Sequence, residues 1–270
     1  MSYQTLLETA IAAAHAGGGA LLAMAARRET LRVEAKAESD FVTAADHAAE
    51  EKIVGHILSV FPDHQILAEE QTHGSNAELS AAPSATIQWI IDPLDGTTNF
   101  IHGVPNFCVS IAAQQGGQVL AGVVWDPVLR ELFTATAGGG AFLNGKPIQV
   151  SESAQLRDGL IATGFPFRVR HLLDSYCRMF QGFLTTVRDL RRFGAAAIDL
   201  AYVAAGRFDG YWEYALNPWD FAAGILLVKE AGGEISGFAE NDNFGETGNI
   251  LASNGKLHAA MREIILKAKQ

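Results

Sequence analysis

The sequence predicts an α+β protein in which layers of helix and sheet pack as two interlocked halves. Three observations lead there. Residues 87–150 read as short strands separated by turn residues, helical segments precede that block, and the second half alternates helices with short apolar strands. No internal repeat or low-complexity linker interrupts the chain. Residues 1–270 are therefore expected to form a single domain of two tightly packed halves, roughly 1–150 and 151–270.

Each element has a local cause. Residues 4–26 form an Ala-rich helix with Leu6, Leu7, Ile11 and Leu22 on its buried side, loosened by Gly17-Gly18-Gly19. A second helix opens in Ser39-Asp40-Phe41-Val42-Thr43, with Thr43 as N-cap and Asp46 in the first turn, and Phe61-Pro62-Asp63-His64 breaks it. Ile66-Leu67-Ala68 is a short strand ending in Glu69-Glu70, and the small, polar residues 71–85 read as a mobile loop. Ile87-Gln88-Trp89-Ile90-Ile91 is β-branched and aromatic, as a strand buried on both faces requires. Strands at 107–114, 118–125 and 131–136, separated by Gly116-Gly117 and Asp126-Pro127, predict an antiparallel meander, and Asn144-Gly145 marks another tight turn. Beyond it come a helix near 170–184, a strand near 187–192 and a small-residue helix over 194–205. Tyr211-Trp212-Glu213-Tyr214 is a strand, 217–231 a helix, Ile250-Leu251-Ala252 a core strand and 256–269 the closing helix.

Composition narrows the function. The chain is 49% hydrophobic and 19% charged, enough for a sizeable core. No run of about 20 uninterrupted apolar residues exists, so no membrane span is expected. The N-terminal segment lacks a basic n-region and carries Glu8 and His15, unlike a secretory signal. Cys108 and Cys177, far apart in apolar sequence, read as buried reduced thiols, which fits the cytoplasm. The eight histidines show no H-x-H or H-x-x-x-H spacing for zinc. A net charge of −10 argues against nucleic acid as the main partner. It would also repel a phosphate anion, unless metal ions reverse the local sign.

One segment asks for such ions. Asp92-Pro93-Leu94-Asp95-Gly96-Thr97-Thr98-Asn99-Phe100 follows the buried strand and sets two carboxylates about a turn apart with no basic residue among the nine. A hard divalent cation such as Mg²⁺ relieves that repulsion, because it takes carboxylate, carbonyl and water oxygens. Gly96-Thr97-Thr98 then offers backbone N–H groups and hydroxyls suited to phosphate. As a bare turn the segment would be ordinary. Two further acidic points also lie at the ends of strands or starts of helices: Glu69-Glu70, and Asp220 within Trp219-Asp220-Phe221-Ala222-Ala223-Gly224. Asp220 alone could be a helix-start acid favoured by the dipole.

Trp89 through His102 resembles the first signature of the inositol monophosphatase family, and Trp219 through Gly224 resembles its second. The likeness extends through Lys36 to Asp46, Ala68-Glu69-Glu70, Gly164-Phe165-Pro166, Arg192 to Glu213 and Asn249-Ile250-Leu251-Ala252. It implies an α/β/α/β/α sandwich and a Mg²⁺-dependent, Li⁺-sensitive phosphomonoesterase working as a homodimer. By the same resemblance, Glu69, Asp92, the Leu94 carbonyl, Asp95 and Asp220 would hold two or three Mg²⁺ ions. Gly96 and Thr97 would cradle phosphate, and Asp95, Gly194, Ala196 and Glu213 would contact the polyol. Glu69, Thr97 and Asp46 are the catalytic candidates; Lys36 and Glu70 are supporting ones.

Phosphate monoesters hydrolyse extremely slowly unaided, and two metal ions can clamp the attacking and leaving oxygens of an in-line displacement. The expected reaction is hydrolysis of a small polyol phosphate, inositol 1-phosphate first, by metal-activated water. An aspartyl phosphate on Asp92 or Asp95 is the mechanistic competitor, but the D-P-x-D-G-T spacing and mid-chain position do not favour it. Fructose 1,6-bisphosphate, histidinol phosphate or a nucleotide 3′-phosphate are alternative substrates. For a bisphosphate or nucleotide, Arg168, Arg170, Arg188, Arg191 and Arg192 could form the extra basic pocket. A regulatory interaction protein on the same fold is the alternative class.

Overall fold

The structure is a computed structural model that describes residues 2–27, 38–71 and 86–269, apart from the side chains of 38–43. Lys36, the predicted loop from residue 72 onward and the Thr43 side chain lie outside the described residues.

Two sheets organise the chain. The first runs in sequential order: β1 (Gln65–Ala68), β2 (Ile87–Asp95), β3 (Cys108–Gln115), β4 (Gln118–Asp126), β5 (Glu131–Thr136), β6 (Gly140–Leu143) and β7 (Lys146–Pro147). β1 pairs parallel with β2, and the rest is the antiparallel meander that the turn residues predict. At its last hairpin Asn144 and Gly145 both take positive φ, 49° and 75°, as a two-residue hairpin turn demands. The second sheet comprises β8 (Leu160–Thr163), β9 (Asp189–Arg191), β10 (Gly210–Glu213), β11 (Glu234–Ser236) and β12 (Ile250–Ser253), in the order β11-β12-β10-β8-β9.

The period-2 alternation of the strands divides the interior. On β2 and β3, Trp89, Ile91, Val109, Ile111 and Ala113 face a core shared with α1 (Tyr3–Ala26) and α2 (Glu38–Val60). Ile90, Cys108 and Ala112 face the opposite core, shared with two helices of the second half. α3 (Thr97–His102) follows β2 directly, and α4 (Leu173–Leu184) lies beyond β8. The two central helices are α5 (Ala196–Ala204), buried at every residue, and α6 (Pro218–Glu230), buried from Pro218 to Val228. Helices buried on nearly every side belong between two sheets. α7 (Phe244–Thr247) is one short turn. On the far side of the second sheet, Tyr176, Met179 and Phe183 of α4 pack with Met261 and Ile265 of α8 (His258–Ala268). The result is the expected α/β/α/β/α sandwich.

The structure corrects several local expectations. α2 begins at Glu38, not at a Thr43 cap, and Asp46 lies well inside it; no Gly or Pro between 38 and 43 stops the helix from extending. Gly17-Gly18-Gly19 does not loosen α1, which runs unbroken. A Cβ at Gly17 would lie 2.7 Å from Ile53, so this glycine lets α1 and α2 approach. β2 continues past Ile91 to Asp95. β8 and β11, four and three residues long, carry no strand signal in the sequence, because neither is long enough to show a period. Cys108 is buried, but Cys177 is exposed on α4. α1 has the length and composition of a membrane span, yet it buries Leu6, Ala10, Ala13, Ala14 and Leu21 in the first core.

Candidate active site

Pro93 shapes the site. It has no N–H to donate to a ladder, and the pairing of β2 with β3 shifts register between Asp92 and Asp95. In that gap the Leu94 amide donates to Asp92 Oδ1 at 3.0 Å, so Asp92 holds its own loop. Gly96 follows with φ 94°, and a Cβ there would sit 2.8 Å from the Asn106 carbonyl. That conformation is open to glycine at little strain. α3 then begins, and Thr97 Oγ1 donates to the Leu94 carbonyl at 2.9 Å.

The other acids arrive from neighbouring elements. Parallel pairing sets Ala68 beside Ile91, and Glu69 N donates to the Ile91 carbonyl at 3.1 Å, which brings Glu69 next to Asp92. Asp95 Oδ2 accepts from Ala197 N at 2.7 Å, at the start of α5, and so ties the first sheet to the central helices. Asp220 is the third residue of α6 and completes a capping box with Asn217, whose amide donates to Asp220 Oδ2 at 2.7 Å. The same oxygen accepts from Arg168 Nη1 at 2.8 Å. Glu213 ends β10 and accepts a hydrogen bond from the Tyr211 hydroxyl.

These residues surround one cavity of about 210 Å³. Its first-half walls are Glu69, Asp92, Leu94, Asp95, Gly96 and Thr97; its second-half walls include Gly194, Ala196, Glu213 and Asp220. Asp46 and Glu70 do not line it. Asp46 is buried on α2 in an acidic group with Glu70, Glu69 and Glu50.

The acids strain against one another. Burial, then the charges of Glu69, Asp95 and Asp220, hold the Asp92 carboxyl well above the carboxylate range. Burial and then Asp220 push Glu69 up to about 7, and the same two causes push Asp95 to about 7. Burial, followed by Glu70 and Glu69, lifts Asp46 to about 8. Glu213 is raised to about 7, again chiefly by burial. Among the described residues, no three acidic, imidazole or thiol side chains are drawn in around one point at coordinating distance. The donor set nevertheless fits Mg²⁺: Glu69, Asp92, Asp95 and Asp220 present only hard oxygens, and their crowding is what a divalent cation would relieve.

The basic side of the wall is narrower than the sequence allows. Of the five arginines considered for a basic pocket, only Arg168 and Arg192 line the cavity. Arg188 pairs with Asp158 and Arg191 with Asp189. Arg192 stacks over Phe165 and Phe167, at 4.9 and 5.5 Å from the ring centres. Asn99 donates to the carbonyls of Asn106 and Phe193, each at 2.8 Å, which straps the α3 loop to the second half. Its place in the Asp92–Phe100 segment was the available signal. Glu50, which accepts from Glu70 N at 3.1 Å, carried none.

Residues 2–270 match the model of the inositol monophosphatase family. The chain belongs to that family. Within it, the chain is 45% identical over 260 residues to the protein named Nus factor SuhB from Pseudomonas aeruginosa, covering 96% of this chain and 94% of that one. The structure of an inositol monophosphatase from Anabaena superposes with a TM-score of 0.84 at 39% identity, covering 98% of this chain and 96% of that one. The suhB protein of Bartonella henselae gives 0.86 at 36% identity, covering 97% and 99%. Members of the family thus carry both names, phosphatase and Nus factor.

Proposed function

We propose that this family member hydrolyses a small polyol phosphate monoester, inositol 1-phosphate, to the polyol and phosphate. The observation that carries the reading is the convergence of Glu69, Asp92, Asp95 and Asp220 on one cavity with the Gly96–Thr97 loop and Glu213. Glu69, Asp92, Asp95, Asp220 and the Leu94 carbonyl would hold two or three Mg²⁺ ions. Once bound, the ions would activate water and neutralise charge on the phosphoryl oxygens.

The chain's own groups supply the rest. Backbone N–H groups at Gly96 and Thr97 receive phosphate oxygens at the start of α3. Thr97, its hydroxyl beside the Leu94 carbonyl, orients the attacking water. Glu69, which lines the cavity beside Asp92, accepts the proton of that water. Asp46 and Glu70 support it from behind, with Lys36 proposed beside them. Glu213 accepts hydrogen bonds from the polyol hydroxyls, and Asp95, Gly194 and Ala196 complete that wall. The protein is proposed to act as a homodimer.

Release of inorganic phosphate from a panel of monoesters with Mg²⁺, with and without Li⁺, tests this reading. Turnover of inositol 1-phosphate that Li⁺ inhibits and Asp95→Asn abolishes supports it; wild-type rates in Asp95→Asn refute the site. Arg168 and Arg192 on the wall favour one variant, a substrate bearing a second anion such as fructose 1,6-bisphosphate or a nucleotide 3′-phosphate; histidinol phosphate belongs on the same panel. The name Nus factor carried by relatives favours a second reading, a regulatory interaction protein, which the same panel separates by showing no turnover.

A further inference from the structure

Arg168 is placed at the rim and reaches inward. It follows the Gly164-Phe165-Pro166-Phe167 turn after β8, and its Nη1 lies 2.8 Å from Asp220 Oδ2. Its side chain is 53% exposed, whereas that of Asp220 is 6% exposed. An arginine serving the core would be covered along its length; this one sends only its charge into the acid-lined cavity. Its guanidinium cannot shed a proton, so it leaves Asp220 only by moving away. The segment that carries it is a 3₁₀ helix, Phe167–Leu172, whose first residue is 60% exposed.

Asp220 therefore has two claimants. It is a proposed ligand of a divalent cation, and its Oδ2 already takes both the Asn217 amide and the Arg168 guanidinium. We propose that Arg168 is an internal counter-cation that competes with the divalent cation for Asp220, and so sets the cation concentration at which the site loads. It offsets part of the charge of the acids while no cation is bound, and it withdraws toward the rim when one takes the carboxylate. This inference rests on the Mg²⁺ reading of the cavity. If Arg168 instead served to aim Asp220 at the cation, its removal would change affinity in the opposite direction.

The test uses the full chain, stripped with a chelator and titrated with MgCl₂ by calorimetry, with unfolding temperature followed alongside. Removing one positive charge a few ångströms from a divalent ion at a partly solvated site is expected to tighten Mg²⁺ binding about tenfold in Arg168→Gln. The cation-free variant should unfold at a lower temperature than wild type, and saturating Mg²⁺ should raise it by more. Arg168→Lys keeps the charge but loses the planar fork, and should fall between the two. An Arg168→Gln affinity equal to or weaker than wild type overturns the proposal. So does an Arg168→Lys affinity no tighter than wild type, which keeps the test decisive should the Gln variant fail to fold. Wild-type protein that binds no Mg²⁺ sinks the cation reading itself, a distinct result from Mg²⁺ binding indifferent to residue 168.

Discussion

Gly164→Ala probes the proposed polyol wall without touching a proposed cation ligand. A Cβ at Gly164 would stand 1.9 Å from Glu213 Cδ and 2.0 Å from both carboxylate oxygens. Ordinary contact begins near 3.5 Å, so the carboxylate must retreat by roughly 1.5 Å. The obstructed atoms are the end of a flexible chain, so the fold tolerates the change. What is lost locally is the Tyr211–Glu213 hydrogen bond, which leaves a buried hydroxyl without that acceptor at about 1–3 kcal/mol. Substrate loses more. Hydrogen bonds to a charged group contribute about 1.5–3 kcal/mol, which is roughly 10- to 150-fold in kcat/KM. Steady-state phosphate release from inositol 1-phosphate should show that fall, alongside an unfolding free energy by denaturant within about 3 kcal/mol of wild type. Glu213→Gln should lose a similar amount, and the double variant little more than either alone, because both remove one contact. Wild-type kcat/KM in Gly164→Ala would show that Glu213 does not touch the substrate.

The remaining predictions concern the acids and their loop. Glu69→Gln and Asp220→Asn should each abolish turnover while leaving the fold intact by circular dichroism; wild-type rates in either refute the site as drawn. Glu69, Asp95 and Glu213 are raised to about 7 and Asp46 to about 8, so between pH 4.5 and 8 the folded protein holds more protons than the unfolded chain. Cation-free stability should therefore fall across that window, by a few kcal/mol in order of magnitude, and Mg²⁺ at pH 8 should restore it. Denaturation in chelator that is flat or more stable toward pH 8 contradicts this sign. Gly96→Ala forces a side chain into φ 94° and against the Asn106 carbonyl, at about 1–3 kcal/mol, and should reduce both the unfolding midpoint and activity.

Where the sequence carried a period or an obligatory residue type, it was legible. The meander could be placed because apolar runs are separated by turn residues at Gly116-Gly117, Asp126-Pro127 and Asn144-Gly145, and the mostly apolar character of 196–204 and 218–230 reflects their position between two sheets. The acids of the cavity could be named because they sit at strand ends and a helix start. Arg168 was another matter. It stands among five arginines that could form a basic pocket, and only the fold brings it to Asp220, 52 residues away. Gly164 was noticed as part of a motif, but its reason, room for the Glu213 carboxylate, is purely spatial. Thr43 failed as a cap signal because nothing before it stops a helix.

The proposed ligands are also scaffold, and that decides which variants are informative. Asp92 holds the Leu94 amide, Asp95 receives the first turn of α5, and Asp220 receives the Asn217 amide at the start of α6. Each carboxylate thus gives an oxygen to a backbone N–H. Replacing Asp by Asn keeps a carbonyl oxygen for the backbone donor and removes the charge, whereas Asp→Ala also removes the acceptor and leaves a buried N–H without a partner, at about 1–3 kcal/mol. Loss of activity in an alanine variant would therefore report on loop and helix geometry as much as on cation binding. The carboxylates that crowd the cavity thus also help build it, and Asp95 on Ala197 N ties the first sheet to the central helices that carry Asp220.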